Sequence, residues 1–498
     1  MKKLTDNAPQ QLKPMPRFGA GLGDSAESHG HESIAHVLNL SGFNAVEVKQ
    51  IYFGNWLRDH SQLIDPKTVR PPYAPRNFPK KISREVLTQF VDLLALKEFN
   101  LLQMTDEGRA AYTVTPEILG VYRPSEHIDN PTNLNEDAID PQTIDEDFEP
   151  LVRPGDRLTT VHYARSMTLH IKEAERYMRR KLRAAMRAGK TPTGMRYFGE
   201  ALHVLEDFFA HSNFVELSLR KVGYTDVLAW TTEKPCKHRW PVVTGLFSGS
   251  DIIASVAEPL AKMLFPVPGH VFKPTVPGER SDGEQALLIL LKEEPEAREV
   301  LVKALEVRDE LAKSSTFQTV EYLDWLAGTP LRILRNHTNG LMQTVVEWAG
   351  DQIDDLQTYW GDDPNTHSHV SATHSQLAKD HGTHPFHVIA QLLARHAVFE
   401  VGKSMHKYWE GDGEQDPVEV ASSYLRHPKD LNWQDPIVEH WADRNPEKIE
   451  EGTELSRHIK RYEEYQAAAL KRLEELEIRE PLDLIGVGEN LSGSGFGL

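Results

Sequence analysis

Residues 202–214 place two histidines and an aspartate at helical spacing inside an apolar run. His203, Asp207 and His211 follow one another at intervals of four residues, so on a helix they lie on one face. The apolar residues between them predict a buried helix whose polar face points at a closed cleft. Two imidazoles with a carboxylate between them suit zinc. The segment therefore predicts a metal-binding helix, and the alternative is a helix with two incidental histidines in a chain that contains 23.

Charge and cysteine content limit the classes of function. The formal net charge of −18 opposes binding to nucleic acid and docking on anionic lipid through charge alone. Cys236 is the only cysteine, so no internal disulfide can form. The first residues carry lysines with no apolar stretch behind them, and no window approaches the roughly 18 apolar residues of a membrane-spanning helix. We expect a soluble chain that is cytoplasmic as synthesised.

Apolar periodicity predicts a mainly α fold with a large helical core and long ordered loops. Helices are expected over 158–188 and 193–221, and a helix from Ile34 to Trp56 is expected to turn Val46 inward. Residues 113–157 are acidic and rich in proline, and a loop this long in a compact domain is usually functional. The predicted organisation is a flexible segment 1–30, a helical metal-binding domain 31–410, a helical extension 411–480 and a Gly/Ser-rich tail 481–498.

Four further places in the chain gather side chains of the metal-binding type. Each has an ordinary alternative, which is a solvated loop for the histidines of 28–36 and a helix cap for Asp59. The candidates are His31, Asp59, His127, His374, Asp380 and His381. We predict that the first three converge with His203, Asp207 and His211 on one multinuclear site, because a buried cluster in a helical bundle takes ligands from separated elements.

The motifs of other chemistries are missing from the sequence. It contains no nucleophile elbow, no glycine-rich phosphate loop and no dinucleotide-binding fingerprint. Chemistry at the predicted site would therefore be metal-assisted hydrolysis, in which a bound ion activates water and holds a phosphoryl or carbonyl oxygen.

Several segments in register resemble the Het-C family of heterokaryon incompatibility proteins, which has fungal founding members and bacterial relatives. The segments are 52–62, 121–131, 202–217 and 374–381, with shorter ones at 18–21 and 241–247. The resemblance implies a cytotoxic protein associated with programmed cell death, with phospholipid membranes as its target. An immunity or regulatory protein partner is left open, as is the oligomeric state.

A more distant resemblance is to zinc-dependent phospholipase C. Residues 197–203, followed by Asp207 and His211, are similar to the core helix of those enzymes. The resemblance implies two or three zinc ions, although other divalent metals would fit, with Asp207 bridging two of them. It also implies that His31 is an early ligand and that Asp59 is both a ligand and the catalytic general base.

Two functions therefore compete, beside a helical scaffold with incidental histidine clusters. The first is a cytotoxic protein at membranes whose metals hold the fold, with contact through the glycine-rich segments 18–23 or 485–498. The alternative is an active metal-dependent phospholipase C or phosphodiesterase that hydrolyses phospholipid head groups.

Overall fold

The computed structural model describes residues 30–246, 278–311, 363–380, 382 and 384–460. His381, the proposed membrane-contact segments 18–23 and 485–498 and the predicted tail 481–498 lie outside the described residues. Among the described helices, none is both long enough and apolar enough to cross a membrane.

The prediction of a mainly α protein is confirmed. The α-helices of the described residues are α1 (Gly30–Ala35), α2 (Ala45–Ser61), α3 (Arg84–Glu98), α4 (Asp106–Tyr112), α5 (Pro116–Leu119), α6 (Pro124–His127), α7 (Leu169–Ala188), α8 (Pro192–His211), α9 (Phe214–Lys221), α10 (Asp282–Leu290), α11 (Pro295–Leu311), α12 (His374–Leu377), α13 (His387–Trp409), α14 (Pro417–Tyr424), α15 (Asp435–Ala442) and α16 (Pro446–Glu451). Short 3-10 helices span His36–Asn39, Asn100–Gln103, Pro141–Thr143, Arg157–Thr159, Leu291–Glu293 and Pro428–Asp430.

Helix α8 is the centre of the core. It begins at clear signals, since the Thr191 hydroxyl accepts a hydrogen bond from the backbone of Gly194 and Pro192 occupies the first turn. Nearly all of its residues are buried, and α2, α7 and α13 pack around it. A helix that is apolar on most sides is stable only inside a core, so its few polar side chains face enclosed space.

Two glycines bring α2 and α8 into direct backbone contact. A Cβ atom on Gly54 would lie 2.0 Å from the carbonyl oxygen of Arg196, and one on Gly199 would lie 1.8 Å from that of Ile51. No larger residue fits at either crossing position without moving a helix. The close approach carries the C-terminal turn of α2, with Asp59, toward the polar face of α8.

The predicted helix over 158–188 is wrong in its first turns. Residues 161–168 form a hairpin of β1 (Val161–His162) and β2 (Met167–Thr168), in which Val161 pairs with Thr168 and His162 with Met167. This hairpin is the only sheet found in the part of the chain that is described. Val242 donates to Ser166 and accepts from Thr168, so a distant segment takes the hydrogen bonds that a helix would have used.

The predicted helix over 193–221 is also broken, at Ser212 and Asn213. Ser212 takes an extended backbone and its hydroxyl donates to the carbonyl of Phe208. The Asn213 amide donates to the carbonyl of Ala229 at 2.8 Å and accepts from the backbone of Val243 at 2.9 Å. These side-chain bonds compete with helix continuation, so α9 leaves in a new direction.

The predicted helix from Ile34 to Trp56 divides into α1, a 3-10 turn and α2. Asn44 and Glu47 form a capping box that starts α2 at Ala45. Val46 then falls in the exposed first turn, and 58% of its surface is accessible. Its predicted inward orientation is therefore wrong.

The acidic region 113–157 is ordered, as its length and composition predict. It contains α5 and α6, and the backbone of Tyr122 donates to Ile64 at 3.0 Å, which ties it to the turn after α2. Helix α6 ends where Ile128 adopts a left-handed φ of 60°. Residues after 410 join the same core through side chains such as Val418, Leu425 and Trp441.

Three segments that are far apart in sequence lie side by side next to α6. Leu246 forms parallel bridges with Asn130 on one side and Thr373 on the other. Asn130 donates to Gly245 at 2.9 Å, and His374 donates to Leu246 at 2.8 Å. We call this arrangement the three-segment ladder; it places the start of α12 beside the end of α6.

Candidate metal centre

Helix α8 presents His203, Asp207 and His211 on one buried face. The accessible fractions of the three side chains are between 1% and 8%. This is the arrangement that the four-residue spacing predicts, and the neighbouring apolar side chains hold the helix in the core. The face opens on α1, α2 and α6 and on the segment around α12.

Asp207 stands between histidines on both sides. Its Oδ1 lies 3.7 Å from His31 Nε2. Its Oδ2 lies 3.0 Å from His203 Nε2, 3.8 Å from His127 Nδ1 and 4.0 Å from His211 Nδ1. Two ligands of one tetrahedral zinc ion are separated by about 3.4 Å. Each carboxylate oxygen therefore lies close enough to an imidazole nitrogen to share a cation with it.

Three groups of buried side chains could each hold a metal ion, since their ligand atoms lie within 4.8 Å of one another. They are His31, Asp59 and His203; His127, His203 and Asp207; and Asp129, His211 and His374. The first two groups share His203 and are neighbours. The third includes His211 and lies at the C-terminal end of α8.

Several polar atoms in these groups are buried without a hydrogen-bond partner. They are Asp59 Oδ2, Asp207 Oδ1, His127 Nε2 and both ring nitrogens of His211, while Asp207 Oδ2 has only His203 Nε2 within 3.0 Å. Buried polar atoms are nearly always paired, because leaving them unpaired costs free energy. Carboxylate oxygens and imidazole nitrogens at these spacings fit a divalent cation, which would satisfy the atoms together.

Two side chains orient the imidazoles of the first group. His31 Nδ1 lies 2.5 Å from Glu206 Oε2, and His203 Nδ1 donates to Asn55 Oδ1 at 3.0 Å. The Asn55 amide in turn donates to Glu206 Oε1 at 3.0 Å. Both Nε2 atoms are thereby turned toward Asp207. A carboxylate or amide behind a metal-binding histidine fixes its tautomer and raises its basicity.

His127 is positioned at the centre by the residue before it, Glu126, which forms a buried ion pair. Glu126 is paired with Arg58 of α2 and accepts from Arg123 at 3.0 Å. Arg58 also donates to the carbonyl of Leu119 at 2.8 Å. These contacts hold α6 against α2, and Gln62 lies 3.2 Å from His127 Nδ1.

The third group is completed by residues of the three-segment ladder. Asp129 Oδ1 lies 2.9 Å from His374 Nδ1, and Asp129 Oδ2 accepts from the Tyr122 hydroxyl at 3.0 Å. The rings of His211 and His374 are 4.3 Å apart between centroids. Asp380 Oδ2 lies 3.7 Å from His211 Nε2 and its side chain is 29% exposed, so this side of the centre is the more open one.

The carboxylates keep His31 charged in the absence of a cation. Burial opposes the protonated imidazole, but Asp59 and Glu206 overcome that effect and raise the pKa of His31 to about 10. Burial raises the pKa of Asp59 above its ordinary value. A cation that binds here must therefore displace the proton from His31 Nε2.

Burial and the neighbouring charges also shift the pKa values of Asp207 and His127. Burial favours the neutral acid, yet His203 and His211 lower the pKa of Asp207 below its ordinary value. Burial, with the charge of His203, lowers the pKa of His127 well below that of free histidine. A negative Asp207 facing a neutral His127 is the protonation state that a metal ion requires.

Most of the candidate ligands named from the sequence lie close together in the structure. They are His31, Asp59, His127, His203, Asp207, His211, His374 and Asp380. His381 lies outside the described residues. Sequence reasoning missed Asn55, Glu206 and Asp129. Glu206 had a signal, because it follows His203 by three residues and shares its face of the helix. Asp129 also had a signal, because it is a carboxylate two residues after His127, whereas Asn55 had none, since its role depends on a contact between distant segments.

The fold and the site together define a class of protein. It is mainly helical and has a buried cluster of histidines and carboxylates that could hold metal ions. Residues 26–263 match the family model described as heterokaryon incompatibility protein Het-C, and this segment is a member of the Het-C family. The match includes every candidate ligand except His374, Asp380 and His381. No curated protein and no solved structure matches the chain. The likeness to zinc-dependent phospholipase C stays a prediction.

Proposed function

We propose that this protein is a cytotoxic, cell-death-related protein of the Het-C type that acts at phospholipid membranes and depends on a zinc centre. The observation that carries the proposal is Asp207, a buried carboxylate with histidines on both sides, whose Oδ1 has no hydrogen-bond partner and whose Oδ2 has only His203 Nε2 within 3.0 Å. A group of that kind is costly to bury for structure alone. The heterokaryon incompatibility family of residues 26–263 supplies the link to cell death.

Zinc is the proposed metal because the candidate ligands are nitrogen and carboxylate oxygen in groups of three. Such sets suit zinc and leave room for a further ligand. The chemistry of calcium and magnesium differs, since both prefer oxygen ligands alone. We propose two ions on either side of Asp207 and a third at Asp129, His211 and His374.

A second candidate function is phosphodiester hydrolysis of phospholipid head groups, and Asp59 favours it. Its Oδ2 is buried and unpaired, and its Oδ1 lies 3.9 Å from His31 Nε2. A divalent cation bound at the site would polarise a phosphoryl oxygen and make water more acidic. Asp59 would then accept a proton from the attacking water at Oδ2. The water oxygen bonds to phosphorus, and the diacylglycerol oxygen leaves and takes up a proton.

The deciding experiment measures dye leakage and phosphorylcholine release from the same phosphatidylcholine vesicles. The zinc-loaded protein is expected to cause leakage, while Asp207→Asn and chelator-treated protein are expected to cause little. Asp226→Asn, an exposed aspartate in the turn after α9, is the matched control and should behave as wild type.

The two candidate functions predict different second readouts. Phosphorylcholine that appears in step with leakage supports hydrolysis. Leakage with no released phosphorylcholine supports membrane damage without turnover. Zinc-loaded protein that leaves vesicles intact and releases nothing would contradict both.

Elemental analysis of the purified protein tests the centre itself. We expect two or three zinc ions for each wild-type chain and fewer for Asp207→Asn. Wild-type protein without bound metal after dialysis against zinc buffer would refute the zinc centre.

A further inference from the structure

The third group of candidate ligands is assembled from both sides of the boundary of the family match. Asp129 and His211 lie within residues 26–263, whereas His374 lies more than a hundred residues beyond the end of that match. The site is therefore incomplete until the segment 372–380 docks on the Het-C domain.

The three-segment ladder supplies the first part of this docking. Leu246 accepts from the backbone of His374 at 2.8 Å and donates to Ala372 at 2.9 Å. Gly245 allows the approach, since a Cβ atom there would lie 2.3 Å from the Cα of His374. This contact sets the register of the start of α12 and does not reach its far end.

A buried lysine fixes the far end. Lys379 is fully buried, and its ammonium group donates to Glu216 Oε1 at 3.0 Å and to the carbonyl of Leu377 at 2.6 Å. Its backbone donates to the carbonyl of Ala210, the residue before His211, at 3.0 Å. Glu216 on α9 is fully buried as well. The pair thus joins α9 to the short segment between α12 and Asp380.

The cost of this pair points to a positioning role. Burying two charges requires the loss of their hydration, and well-packed apolar residues at such places often stabilise a fold as well or better. Where a buried ion pair is kept, the use with the best support is to fix one arrangement against others. Here the arrangement that it fixes sets both His374 and Asp380 beside His211, with the His374 ring 4.3 Å away between centroids and Asp380 Oδ2 3.7 Å from Nε2.

We infer that the Lys379–Glu216 ion pair is a positioning device that holds the segment 373–380 in place so that a divalent cation binds between Asp129, His211 and His374. The inference rests on the proposed zinc centre. It adds that the third ion is separable, because the two positions around Asp207 take their ligands from α1, α2, α6 and α8 alone.

The test counts zinc in the full-length protein. Wild type, Lys379→Met and Lys221→Met are loaded with zinc, dialysed and analysed for metal content, with circular dichroism as the check of folding. Lys221 is the matched control, because it also joins α9 to a distant segment, through Asp435 at 2.7 Å, but touches no candidate ligand. We expect Lys379→Met to hold one zinc fewer than wild type and Lys221→Met to hold the full number.

The outcomes separate this inference from the proposed function. Wild-type protein without zinc would refute the centre itself. Folded Lys379→Met with the wild-type number of ions, or with all ions lost together, would overturn the positioning role while the centre stands. If Lys379→Met does not fold, Glu216→Gln decides, because it keeps the shape of the side chain and removes only the charge; it should also lose one ion.

Discussion

Glu206 and Asn55 decide which nitrogen of each imidazole faces Asp207. The spacing of His203, Asp207 and His211 identifies the candidate ligands, because ligand type and helical period are both visible in a sequence. The side chains that orient them are harder to predict, since Asn55 meets His203 only after α2 has packed on α8. In a sequence, a carboxylate that hydrogen-bonds to a metal ligand cannot be distinguished from a carboxylate that binds the metal itself.

Replacing Glu206 by Gln should weaken metal binding without removing a ligand. The amide cannot stabilise positive charge on His31, so the imidazole becomes a poorer donor to the ion. Loss of such a supporting carboxylate typically costs 10- to 100-fold, or about 1.4–2.8 kcal/mol, in metal affinity. Competition titration with a chromogenic zinc chelator measures the change. An affinity equal to that of wild type would show that Glu206 has no such role.

Helices α2 and α8 define the geometry of the centre through their crossing. Their existence was predictable from apolar periodicity, but their boundaries were not. Asn44 starts α2 later than periodicity indicates, and Asn213 ends α8 earlier, in each case because a side chain bonds to the backbone. Hydrophobic patterning does not register such local competition.

Gly199→Ala should disturb both the core and the metal centre. The added methyl group would meet the carbonyl oxygen of Ile51 at 1.8 Å, so α2 and α8 must separate. Overpacking of this kind usually costs about 1–3 kcal/mol. Asp59 would move away from His203 with the rest of α2.

Urea unfolding and zinc content together check this prediction. Gly189→Ala is not a suitable control, because Gly189 has a positive φ of 67°. Ala188→Gly, at the half-buried last residue of α7, is milder and should leave metal content unchanged. Gly199→Ala with wild-type stability and full zinc would contradict the close crossing.

At the scale of the whole molecule, segments that are far apart in sequence come together around the buried candidate metal centre. Family resemblance and ligand type were enough to suggest the site, and the fold class followed from periodicity. The three-segment ladder could not be foreseen, because its bridges join residues 130, 246 and 373 through backbone hydrogen bonds that no residue pattern specifies. The pairing of Asp129 with His374 was missed for that reason.

Removal of metal should lower the stability of the entire fold. Ligands come from elements throughout the core, and binding to the folded chain alone adds about 4 kcal/mol for each ion at a thousandfold excess over its dissociation constant. Thermal unfolding followed by circular dichroism, with and without EDTA, measures the loss, and EDTA saturated with zinc is the control. Identical melting curves would favour a scaffold whose histidine clusters bind no ion.

The ladder and the Lys379–Glu216 pair also order events during synthesis. A nascent chain emerges at about 5–20 residues per second and folds its early parts first. Asp129 and His211 are thus made on the order of ten seconds before His374, their partner in the third group. A ribosome still translating this region carries a Het-C segment in which one of the three candidate cation groups is incomplete. If the third group binds an ion, it can do so only after translation has passed residue 380.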